Sequence, residues 1–224
     1  MEETQLYKTE DGFPIIKISN DDIRKIIVLK AKERYKIKIG KNGSVESNET
    51  GIAAEFAIEF FCKSQNLEKF HFGFNYKENF KGMSDKNDCF IYSKKENKKM
   101  LVEIKGTSKN PKNSAGVRSF LQRREYLPNQ INGPIIFCHV DKKENTVLIV
   151  GYIDAKEYNQ NIDNWINGIG MVEISMSNSR KIEYLIPEFK DWEKSCESLE
   201  SLNNKFIEEI EYDLNQNDAI SNFY

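Results

Sequence analysis

No run in this sequence approaches the roughly 18 consecutive apolar residues that a bilayer-crossing helix requires. The opening "MEETQLYKTEDG" is acidic and lacks both the basic and the apolar part of a secretory leader. A cytoplasmic protein with no membrane partner is the expectation. Cysteine is scarce: Cys62, Cys89, Cys138 and Cys196 stand far apart with no C-x-x-C pair. That spacing argues for buried, reduced thiols against a disulfide framework or a zinc site. Histidine is scarcer still, and neither His71 nor His139 has a second His or an acid at ligand spacing, so both read as strand residues. There is no G-x(4)-G-K-[ST], no G-x-S-x-G, and the glycines of "INGIG" follow no strand and open no helix. Nucleotide-binding loops and serine hydrolases are therefore unsupported.

An excess of charge of one sign is also missing, since 33 Lys and Arg against 35 Asp and Glu leave a net charge of -2. The balance is uneven along the chain, however. From Glu188 to the end, ten acids and three bases give -7, while residues 1–187 carry 30 bases and 25 acids, or +5. Residues 77–124 alone hold thirteen bases and five acids. A locally basic surface suits phosphate binding by counterion release, although a lysine-rich solvated face gives the same count.

What is present suffices for a core: 39% hydrophobic and 12% aromatic residues in 224 positions support one domain, taken as 1–187, followed by an acidic segment. "SNDDIRKIIVLKAKERY" predicts a capped helix and Gly40–Gly51 a loop. Thr50 is expected to cap a second helix whose apolar stripe is Ile52, Ala53, Phe56, Ala57 and Phe60. Alternation at Phe70, Phe72, Phe74 and Tyr76 predicts a strand. Two further strands span 88–93 and 99–105, then a helix is expected over "AGVRSFLQRREYL" up to Pro128. "PIIFCHV" reads as a central strand and "TVLIVGYI" as another. A short helix and turn over 154–170, a strand at "RKIEYLIP" and a long acidic amphipathic helix over 188–224 complete the expectation. The last is expected to pack on the domain or form a dimer contact. The class is α/β, a mixed central sheet flanked by helices.

Chemistry concentrates in residues 86–110, "KNDCFIYSKKENKKMLVEIKGTSKN". A hairpin turning at Lys95 and Glu96 pairs residues whose numbers sum to about 191, which brings Asp88 opposite Glu103 with Cβ atoms about 5 Å apart. Two carboxylates so close repel unless a cation lies between them. Alternation puts Lys105 on the same face and points Ile104 into the core. Hard oxygens suit Mg²⁺ or Mn²⁺, and a lysine beside an ion-activated water suits phosphodiester hydrolysis. Three E-x-K tripeptides occur, about the number chance provides, but only "LVEIKGT" lies in an apolar strand with an Asp opposite.

The pattern D-x(14)-E-x-K, with an acid on the preceding helix and a basic helix after it, resembles the PD-(D/E)XK (restriction-endonuclease-like) nuclease superfamily over about residues 50–153. The resemblance implies that family's core of helix, three antiparallel strands, helix and strand. It implies catalytic roles for Asp88, Glu103 and Lys105, with Glu55 as the helical acid. Mg²⁺ is implied as cofactor, Mn²⁺ substituting, held by Asp88, Glu103, the Ile104 carbonyl and Glu55, with 5′-phosphate and 3′-hydroxyl products. Two departures stand: Asn87 replaces the family's proline, and Asp85 is the ligand instead if the register shifts. Glu59 is the alternative to Glu55. "QRREY" is similar to the Q-x-x-x-Y motif of the family's exonucleases, and Lys109, Lys112, Arg118, Gln122, Arg123, Arg124 and Tyr126 are the expected nucleic-acid contacts. The expected substrate is DNA ahead of RNA, with a homodimer where both strands are cut. The alternative is an inactive module of the same fold that binds nucleic acid or protein.

Overall fold

The computed structural model describes residues 4–37, 44–65, 67–74, 88–108, 119–123, 133–165, 171–175 and 178–191. Two short strands come first, β1 (Gln5–Lys8) and β2 (Pro14–Lys17), then α1 (Asp21–Ile37) and α2 (Val45–Ser64). The strands β3 (Phe70–Phe74), β4 (Cys89–Ser93) and β5 (Lys98–Thr107) follow, and β6 is Ser119–Arg123. Beyond them lie β7 (Ile135–Asp141), β8 (Thr146–Ile153), α3 (Ala155–Asn161) and β9 (Met171–Ser175). Seven strands form one sheet in the order β1-β2-β8-β7-β5-β4-β3, and β6 pairs with β9 separately. Within the large sheet only β5 and β7 run parallel. β7 has neighbours on both sides, as its nearly unbroken apolar run predicts.

Local chemistry explains the two long helices. Asn20 caps α1, its Oδ1 accepting from the N–H groups of Asp22 (2.9 Å) and Ile23 (3.2 Å). Ser44 caps α2 by accepting from the Ser47 N–H, so α2 begins at Val45 and the loop expected over 40–51 ends before it. Thr50 is therefore inside the helix and not its cap, and its hydroxyl donates back to the Glu46 carbonyl at 2.9 Å. Every residue of α2 from Ile52 to Cys62 is buried, because α1 covers one side and the sheet the other.

The core divides between the faces of the sheet. Under α2 lie Val102, Ile104, Ile136, Cys138, Val147 and Ile149 with Phe56, Phe60 and Phe61. On the opposite face Ile135, Phe137, Val150 and Ile153 pack with Tyr158, Ile162 and Ile174. Each such large apolar side chain, fully buried, contributes about 1.5–3 kcal/mol.

Two expected elements differ. Residues 119–123 are strand, paired from Ser119↔Ser175 to Arg123↔Met171, and not part of a helix over 115–127. "RKIEYLIP" forms a short 3-10 turn at Ile182–Tyr184, with only Arg180 bridging to Tyr152. Ile182, Ile186 and Phe189 point inward at spacings of four and three, which suits turns and not a strand. Of the acidic helix expected over 188–224, residues 188–191 belong to a 3-10 turn (Pro187–Asp191) and the rest lies outside the described residues.

Candidate active site

The hairpin register is the one the turn predicts: Cys89↔Val102, Phe90↔Leu101 and Ile91↔Met100 all sum to 191. Asn97, at φ 52°, takes the left-handed position that a tight connection requires. One step beyond Cys89↔Val102 brings Asp88 level with Glu103.

At that point β4 ends and β5 continues to Thr107, paired among the described residues with β7. The Glu103 N–H donates toward β7, to the Pro134 carbonyl at 3.0 Å. In a strand the next residue's polar groups point to the other edge. The N–H and carbonyl of Ile104 therefore open into the notch that β4 leaves. Asp88 fills part of it: its N–H donates to the Val102 carbonyl (3.1 Å) and its Oδ2 accepts from the Ile104 N–H at 2.6 Å.

Val102 and Ile104 belong to the core under α2, so Glu103 and Lys105 occupy the other face, level with Ile135 and Phe137. Their carboxylate and ammonium form an ion pair. Asp88 differs from expectation in one respect, since its carboxylate turns into the sheet edge and onto the Ile104 N–H. Glu55 approaches from the α2 side, where its two oxygens accept from Nη1 and Nη2 of Arg34 at 2.8 Å each.

Electrostatics tie these groups together. Burial pushes the Glu103 carboxyl up to about 7, and the negative charge of Asp88 adds to that against the opposing pull of Lys105. Burial also raises the Glu55 pKa although Arg34 opposes it, and Asp88 again adds to the rise. Asp88, at the edge, is thus felt from both faces. Glu59, the alternative to Glu55, pairs instead with Lys63 one turn on (2.8 Å). His139 is half-buried on β7 and burial lowers its pKa, in keeping with a strand residue.

Arg34 escaped the sequence reading, because a cation near a helix C-terminus ordinarily solvates that end. The one available signal was indirect: a glutamate in the apolar run "GIAAEFAIEF" requires a buried partner. Gln122 and Arg123 lie on β6, while Asp85, Lys109, Lys112, Arg118, Arg124 and Tyr126 lie outside the described residues. Among the described residues no three His, Cys, Asp or Glu side chains gather into a metal-holding group. No helix among them is long and apolar enough to cross a membrane. No family model, no curated protein and no solved structure matches this chain.

Proposed function

We propose that this protein is a divalent-metal-dependent nuclease that hydrolyses phosphodiester bonds, with DNA as its substrate. The observation that carries the reading is the notch beside β5, where Asp88 accepts from the Ile104 N–H, Glu103 pairs with Lys105, and the charge of Asp88 adds to burial in raising the Glu103 pKa. A protein retains such repulsion where a cation relieves it. The donor set fits Mg²⁺, with Mn²⁺ able to substitute: the two carboxylates and the Ile104 carbonyl are hard oxygens. When bound there, the ion supplies Lewis-acid stabilisation of phosphoryl charge and a more acidic water.

The chain's own groups do the rest. Asp88 and Glu103 would hold the ion, and the Ile104 N–H keeps the Asp88 carboxylate aimed across the notch. Lys105 lies beside Glu103, where its ammonium orients an attacking water and offsets negative charge. Support for a nucleic-acid substrate comes from the +5 balance of residues 1–187.

Purified protein should cleave in Mg²⁺ and stop on chelation, with single-stranded DNA, duplex DNA and RNA compared side by side. Glu103→Ala and Lys105→Ala should each lower the rate by about 100-fold or more. Equal cleavage by both variants removes the catalytic reading, and no cleavage by any form favours a non-cleaving binding module.

A further inference from the structure

We infer that Arg34 is a resident cation of this site, withholding Glu55 from metal so that the notch takes one divalent ion on Asp88 and Glu103. The inference rests on the nuclease reading and specifies its metal stoichiometry. Arg34 and Glu55 come from different helices, α1 and α2, and meet fork to fork with both oxygens engaged at 2.8 Å. Their side chains are only 10% and 6% exposed, so water does not substitute for either partner. A planar guanidinium matches a carboxylate in both position and charge.

The other acids are held differently. Asp88 gives one oxygen to a backbone N–H, and Glu103 gives one to Lys105. Each thereby retains an oxygen with no hydrogen bond among the described residues. A dication placed on Glu55 would instead lie against a buried like charge. Two-metal sites hold their ions about 3.5–4 Å apart, and that requires carboxylates beyond the two that remain.

The helix packing preserves room for the fork. Gly51 lies one turn before Glu55 on α2, and a Cβ there would sit 3.7 Å from Arg34 Nη1, in ordinary contact. A longer side chain at that position presses directly on the guanidinium.

The test is Mn²⁺ binding to the full chain, counted by electron paramagnetic resonance and by calorimetry, with folding of each variant checked by circular dichroism. The wild type should bind one Mn²⁺ per chain. Asp88→Asn and Glu103→Gln should weaken binding at least tenfold, and Glu55→Gln should leave the affinity within about threefold. Arg34→Met should expose Glu55 and add a second Mn²⁺ or tighten the first severalfold. If Arg34→Met does not fold, Arg34→Lys replaces it, since a point-like ammonium lacks the planar fork that matches both oxygens, and the same change should appear in smaller measure. Two Mn²⁺ in the wild type, or a first ion lost in Glu55→Gln, overturns the inference and leaves the nuclease reading intact. Unchanged binding in every folded Arg34 variant also overturns it. Wild type that binds no Mn²⁺, or binds it equally in Asp88→Asn and Glu103→Gln, removes the metal site itself and both conclusions with it.

Discussion

A carboxyl group titrating near 7 is half protonated at neutral pH, and Glu103 reaches that condition because burial opposes its charge and Asp88 adds to the opposition. Its ordinary value of 4.5 applies to the unfolded chain. Between the two values the folded state binds the extra proton, so stability falls as pH rises from about 4.5 to 7 and then levels off. The share of Glu103 in that loss is on the order of 3 kcal/mol at most, and Glu55, shifted the same way, contributes separately. Urea unfolding in chelator at pH 5 and pH 8 should show this slope, and Glu103→Gln should reduce it. A rise in stability from pH 5 to 8 contradicts the assignment. At this scale the hairpin register that sets Asp88 level with Glu103 was legible, because the turn fixes it and alternation places Lys105 on the face of Glu103. Arg34 was not, because its partner lies on the neighbouring helix and no local pattern links the two.

Helix α2 comes so close to β5 at Gly106 that an added Cβ would lie 2.8 Å from the Thr50 carbonyl oxygen and 3.0 Å from Ala54 Cβ. Backbone at that distance cannot rotate away, so Gly106→Ala must push the helix from the strand. The expected cost is about 1–3 kcal/mol, which thermal unfolding should read as a Tm lower by several degrees. An unchanged Tm would mean that helix and strand have room to spare at Gly106. The same contact explains the misplaced start of α2. "SNETG" carries turn-forming residues, yet packing against β5 holds them helical, since tertiary burial outweighs weak local preference. Residues 119–123 failed for a related reason. Arg118, Gln122 and Tyr126 recur at helical spacing, but a partner strand some fifty residues later recruits the backbone between them. The strands β1 and β2, four residues each, are too short to carry a periodic signal. By contrast β7 and β8 were readable because their apolar runs are long and bounded by turns.

On the scale of the whole molecule, the mixed sheet follows from the order of elements: three antiparallel strands, an excursion, then a hairpin returning beside the third. The α/β class was legible from that order, and so was the central place of β7. The small β6–β9 sheet was not, because its two strands lie some fifty residues apart and no local pattern links them. β3, β4 and β5 close on one another through near neighbours in sequence, as do β7 and β8, whereas Glu103 joins Ile135 only across a long separation. Contacts of the first sort form quickly, and the parallel seam must wait for its loop to close. Pulse-labelled hydrogen exchange should find the Glu103 amide protected after those of Phe90 and Ile149; simultaneous protection refutes this order. Until that seam closes, the edge of β5 that β7 later covers stands open to pairing with another strand, so a slow closure exposes the half-folded chain to misassembly.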